Sequence, residues 1–173
     1  LIVVQERALS IFSRNNFELL SSIPETESPI LGTVISSDGH HLATLHGPLT
    51  LRLWDTAEGL RTSQPLKLRS RIVAFQFQAV SNNLQLVTTA GEQFTINSDD
   101  FIPKTVTKGN LPLSKDETIT VAVFHPHQFF TAYGTSQGRV FISNASGSLV
   151  IAPLHFPDII TNVALSSDSQ LLL

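Results

Sequence analysis

Short apolar segments of strand character return along this chain at a nearly constant interval, and that repetition restricts the fold more than any single residue does. Phe75-Gln-Phe77 falls 42 residues after Thr33-Val-Ile35, Phe124 lies 47 beyond Phe77, and Leu165 lies 41 beyond Phe124. A second set keeps the same step: Leu9-Ser-Ile-Phe12 precedes Leu51-Arg-Leu-Trp54 by 42, and Phe94-Thr-Ile96 and Val140-Phe-Ile142 follow. The longer second interval has a source in the polar stretch 108–117, which is expected to be a loop insertion. Runs with helical period are hard to find, whereas alternating and β-rich runs bounded by Gly, Pro, Ser, Asn and Asp recur throughout, so the chain is predicted to be all-β.

The clearest unit is Thr33-Val-Ile-Ser-Ser-Asp-Gly39, then His41-Leu-Ala-Thr-Leu45, a Gly47-Pro48 turn, Leu51-Arg-Leu-Trp-Asp55 and Thr56-Ala-Glu-Gly59. It resembles a WD40 repeat. The resemblance implies a β-propeller, an array of radial four-stranded antiparallel blades whose strands run a to d from the central channel outward. An unrelated β-sandwich is the alternative architecture. Whole blades are expected at about 31–68, 72–108 and 119–153, with remnants at 1–22 and 160–173, about four blade-equivalents truncated at both ends. Leu1 and Leu173 both map onto the position of Ala43. Ile35, Phe77, Phe124 and Leu165 are expected in equivalent places on innermost strands, each packed between its own sheet and the next.

The repeats are degenerate. Only one carries Trp-Asp, where the others have Phe12-Ser13, Asn97-Ser98 and Ser143-Asn144. No Gly-His pair precedes strand a, and the Asp usual in the b-to-c turn is missing, so the family's buried His/Ser/Trp/Asp network is expected to be incomplete. The chain begins without Met and ends in Leu171-Leu172-Leu173, which reads as a piece of a longer protein, and contacts with missing blades of that parent are expected.

Composition narrows the function classes. Of the 173 residues 42% are hydrophobic and 14% charged, enough to bury a core. A net charge of -3 offers no overall basic field, so neither nucleic acid nor an anionic membrane is expected as partner. With no cysteine there is no thiolate metal site and no thiol catalysis. No apolar run approaches the roughly 20 residues that span a bilayer, and Leu1-Ile2-Val3-Val4 lacks the charged start and cleavage pattern of a signal peptide; a cytoplasmic location is expected.

Gly134-Thr-Ser136-Gln-Gly138 matches the G-x-S-x-G nucleophile elbow, which needs strand, turn and helix. Here strand-like Phe129-Phe-Thr-Ala-Tyr133 precedes it and Arg139-Val-Phe-Ile142 follows, so a b-to-c hairpin is predicted, with no catalytic residue. The pairs His125/His127 and His40/His41 fall in a-to-b turns without the third and fourth ligands zinc requires. No metal and no cofactor are expected. Asn144-Ala-Ser146 fits the N-glycosylation pattern, which matters only in a secreted protein.

Arg61, Lys67, Arg69 and Arg71 form the one basic run, with no acidic residue among them. In WD40-type propellers the d-to-a and b-to-c loops form the usual binding face. Residues mapping there are His46, Tyr133, Arg69, Arg71, Lys115, Asp116, Glu117, His155 and Asp158, and Arg69, Arg71 and Tyr133 are the expected anchors. The resemblance thus implies a non-catalytic scaffold that binds a protein or peptide. The alternative is the regulatory or sensing propeller of a multidomain signalling protein, a kinase or a nucleotide-binding ATPase. A propeller hydrolase would need converging His, Asp or Glu on the innermost strands, which are almost wholly apolar, Ser, Thr or Gln.

Overall fold

The computed structural model describes residues 2–13, 15–23, 26–57, 61–98, 109–125, 130–144 and 146–166, with backbone only at 61, 109 and 110. Among them every regular element is a strand, and the strands form four antiparallel sheets. The first holds β1 (Ile2–Val4), β2 (Leu9–Phe12) and β3 (Leu19–Ile23), in that order. In the second, β4 (Ile30–Ile35), β5 (His41–His46) and β6 (Thr50–Asp55) are followed by an outer strand in two pieces, β7 (Arg61–Thr62) and β8 (Leu66–Lys67), both paired with β6. The third contains β9 (Ile72–Phe77), β10 (Leu84–Thr88), β11 (Glu92–Ile96) and β12 (Gly109–Asn110). The fourth has β13 (Ile119–Phe124), β14 (Phe130–Thr135), β15 (Arg139–Asn144) and β16 (Leu154–His155).

Apolar side chains weld these sheets face to face. Leu9 packs with Leu42 and Trp54 between the first two sheets. Leu45, Leu53, Phe77 and Leu86 belong to the cluster joining the second and third, and Val87, Phe124 and Phe141 to that joining the third and fourth. Because the second sheet has a neighbour on either side, its middle strand is buried on both faces: β5 is buried at every position but its first. Strands β4, β9 and β13 lie beside one another, so the innermost strands share an axis.

Backbone links tie sheet to sheet at that axis. Ile30 N donates to Glu6 O at 2.8 Å, Ile72 N to Pro48 O at 2.9 Å, Ile119 N to Thr89 O at 2.9 Å, and Ile160 N to Thr135 O at 3.0 Å. The four donors are isoleucines at steps of 42, 47 and 41, the period of the sequence repeat. Each binds the end of the preceding sheet's b-to-c hairpin, so neighbouring hairpins and the starts of the a strands meet on one rim.

Register corrects some expectations. Ile35, Phe77 and Phe124 do occupy one place, opposite Leu42, Leu84 and Thr131. Phe77 and Phe124 are buried, but Ile35 is 49% exposed, facing a cavity shared with Ile2, because β1 is the innermost described strand of the first sheet. Leu165 makes an isolated bridge rather than part of a strand, and 167–173 lie outside the described residues. Ile2 pairs with Ile11 as Ala43 pairs with Leu53, so Ile2, and not Leu1, holds the place of Ala43. The first b-to-c turn is one residue shorter. The outer strand of the third sheet is Gly109–Asn110, inside the stretch expected to be an inserted loop, because Glu92 and Gln93 pair with it.

Candidate binding rim

The b-to-c hairpins and the segments leading into each strand a place most of the predicted anchors on one rim. Along 66–72 burial alternates: Lys67, Arg69 and Arg71 are exposed, Leu66, Leu68 and Ser70 are half-buried, and Ile72 is buried. Leu66 and Leu68 pack against the core between the second and third sheets, which fixes the cations on the outer side. The segment bends at Arg69–Ser70 as it passes from the sheet's outer edge to its innermost strand. Arg71 opens onto a cavity of about 390 Å3, lined also by Val73, Thr89 and Thr120.

Beyond Asn110, the stretch expected to be a loop insertion is folded against the fourth sheet. Leu111 is buried, and Arg139 clamps the turn that follows: its Nε donates to Glu117 Oε1 at 2.9 Å and Nη2 to Pro112 O and Ser114 Oγ, each at 3.1 Å, with a second bond to Glu117 Oε2. Glu117 Oε2 also accepts from Ser114 N at 2.9 Å. Glu117 is therefore buried rather than presented to a partner. The Arg139 guanidinium holds the Glu117 carboxyl down at about 2, against the cost of burial. Lys115 and Asp116 project from the turn that this pair holds, Asp116 with a left-handed φ of 62°. His155 and Asp158 are exposed before the last axial link.

One expected anchor and one further expected rim residue are inside the molecule. Tyr133 is fully buried in β14, its hydroxyl 3.0 Å from Ser143 Oγ, and burial pushes its phenol above the ordinary value. His46 is buried at the end of β5, with Nε2 2.8 Å from Thr44 Oγ1 and Nδ1 3.3 Å from Ser28 O. Burial holds its imidazole below the ordinary value; the bond to Ser28 opposes this. Trp54 Nε1 donates to the same Thr44 hydroxyl at 2.7 Å, so the second sheet has a closed Trp-Thr-His network in place of the arrangement whose loss was expected. Its histidine comes from the b strand instead of from a position before strand a.

Gly134 to Gly138 forms strand, turn and strand, with Ser136 in the turn and its Oγ accepting from Thr118 N at 3.1 Å. No helix follows to expose a nucleophile. His125 is buried beside Phe130 and His40 is exposed, whereas His127 and Ala145 of the Asn144-Ala-Ser146 pattern lie outside the described residues. Among the described residues no three His, Asp or Glu side chains converge as a metal site would require, and no helix is long and apolar enough to cross a membrane.

Arg139 and Lys67 were not among the expected site residues. Lys67 could have been found from its alternation with Arg69 and Arg71. The partner of Arg139 is 22 residues away and has no local signature.

No family model and no curated protein matches this chain. Solved structures do. The β-propeller domain of Cps50 (Swd1) from Myceliophteria thermophila superposes with a TM-score of 0.73 at 15% identity, over 96% of this chain and 55% of that one. Raptor from Chaetomium thermophilum gives 0.73 at 18% identity, over 92% of this chain and 15% of that one. The chain thus spans about half the length of the first and a small part of the second. With four radial antiparallel sheets on a shared axis, the chain has the β-propeller fold.

Proposed function

We propose that the chain is a WD40-type scaffold that binds a protein or peptide through the rim made by its b-to-c hairpins and d-to-a segments, without catalysis. The observation that carries this reading is the distribution of charge partners. Arg7 bonds to Thr26 O and Glu27 O, Arg52 pairs with Glu27 at 3.1 Å, and Arg139 pairs with Glu117. Lys67, Arg69, Arg71 and Lys115 make no ion pair among the described residues, and all four lie on the rim. Exposed cations without an ion pair, one of them, Arg71, beside an open cavity, are suited to meet a partner's acceptors.

The test is selection of a random peptide library on the immobilised full chain. Peptides enriched in this way should lose binding to an Arg69→Ala/Arg71→Ala variant and keep it for Ser136→Ala. Enriched peptides that bind both variants, and a Lys115→Ala/Asp116→Ala/Asp158→Ala variant, as tightly as the parent chain would overturn the assignment to this rim.

A further inference from the structure

Resting on that reading, we infer that the rim's ligand is an acidic peptide carrying carboxylates at alternate residues, received along the row Lys67–Arg69–Arg71. Three features of the row specify this. The cations occupy every second position and are exposed while Leu68 and Ser70 between them are turned inward, so the three face outward together through the bend at Arg69–Ser70. A peptide laid along the row in a similar conformation repeats its own side chains at that spacing, so acid-x-acid-x-acid can place one carboxylate against each cation. Contiguous acids would send alternate carboxylates to the opposite side.

The row is also set in place before binding. Leu66 and Leu68 are packed into the core on its inner side, Lys67 is paired with Thr50 in the sheet, and Leu68 N donates to Leu49 O at 2.9 Å. Little backbone entropy remains to be lost when a ligand docks. Finally, no acidic residue occurs between Arg61 and Arg71, so no anion within the segment competes for the row. The row starts at the sheet's outer edge and ends where Arg71 borders the cavity with Thr89 and Thr120, which gives the peptide a radial path toward the axis.

The experiment measures fluorescence anisotropy of two labelled peptides of equal composition with the full chain, one Asp-Ser-Asp-Ser-Asp and one Asp-Asp-Asp-Ser-Ser. The alternating peptide should bind at least about tenfold more tightly at low salt, and both should weaken as salt screens the pairs. Each single Lys67→Ala, Arg69→Ala or Arg71→Ala change should cost about threefold, in keeping with exposed pairs. The Arg69→Glu/Arg71→Glu variant should lose the acidic peptide and gain Lys-Ser-Lys-Ser-Lys. Fluorescence of Trp54, buried in the same sheet, verifies that each variant is folded. Equal affinity for both acidic peptides, equal or tighter binding of a single-stranded oligonucleotide, or indifference to the substitutions would overturn the inference. Library peptides that bind through Lys115, Asp116 or Asp158 while the alternating peptide fails would sink the row and leave the scaffold reading standing. If no peptide of either kind binds, both fall.

Discussion

Trp54 Nε1 donates a 2.7 Å hydrogen bond to Thr44 Oγ1, and two sheets later the same two places hold a tyrosine and a serine with large and small exchanged. Leu42 pairs with Trp54 and Thr131 with Ser143, so Trp54 and Ser143 are equivalent on strand c, as Thr44 and Tyr133 are on strand b. One sheet puts the bulky polar ring on c, the other on b. The third sheet fills both places with apolar residues, Leu86 and Ile96. The volume of the pair is shared between strands, and a hydrogen bond is kept wherever either member is polar.

Thr44→Val tests the first of these pairs, since it keeps the shape and removes the hydroxyl that both Trp54 and His46 use. Two buried polar groups are left without that partner, and the expected loss is about 2 kcal/mol or more. Tyr133→Phe should cost about 1 kcal/mol, because the Ser143 hydroxyl can turn elsewhere. Urea unfolding followed by the fluorescence of Trp54, the chain's one tryptophan, reads both.

Acid should weaken the fold in two stages. His46 has a folded pKa below its ordinary 6.5, so its contribution is complete above about that pH and falls as the solution becomes more acidic. Glu117 is held at about 2 against an ordinary 4.5; its contribution is complete above 4.5 and lost as pH falls toward 2. That second loss is on the order of 3 kcal/mol. Melting temperatures from pH 8 to pH 2 should show both steps, and Glu117→Gln should remove the lower one while destabilising the chain at neutral pH.

The period, the middle strands and the hairpin at Ser136 were legible in the sequence because a central strand of five or six residues with β-branched and aromatic side chains leaves a strong local pattern. The outer strands β7, β8, β12 and β16 have two residues each, too few to show alternation. Tyr133 and His46 were misplaced for a physical reason. A polar residue next to a turn usually faces water. In a sheet covered on both faces, the same residue is turned into a neighbour and satisfied there. The cations at Arg69 and Arg71, without such partners, are on the surface where the sequence suggested.

Gly138 is required by a crossing chain. A Cβ there would collide with the backbone carbonyls of Phe156 and Asp158, in the segment that passes over the hairpin and whose Phe156 N donates to Gly138 O at 2.7 Å; the φ of 74° adds strain for any other residue. Gly39 has a similar φ of 77° but open space around it. Gly39→Ala should therefore cost about 1 kcal/mol from conformation alone, whereas Gly138→Ala should cost clearly more and expose residues 153–160 to limited proteolysis. Equal costs with no new cleavage would mean that the crossing segment does not press on the hairpin.

Ser136 offers the sharpest separation between a scaffold and a hydrolase. Its hydroxyl accepts from Thr118 N at 3.1 Å, and its own N–H donates to Thr118 O at 2.9 Å, which makes it a brace between the hairpin and the start of β13. A nucleophile would need a base within hydrogen-bond reach and backbone donors facing the attacked carbonyl. This hydroxyl is held by a backbone donor, which lowers its reactivity. A fluorophosphonate probe should accordingly leave the chain unlabelled, and Ser136→Ala should cost no more than about 1 kcal/mol while peptide binding at Arg69 and Arg71 is retained. Labelling that disappears in Ser136→Ala would identify this turn as reactive and the propeller as an enzyme.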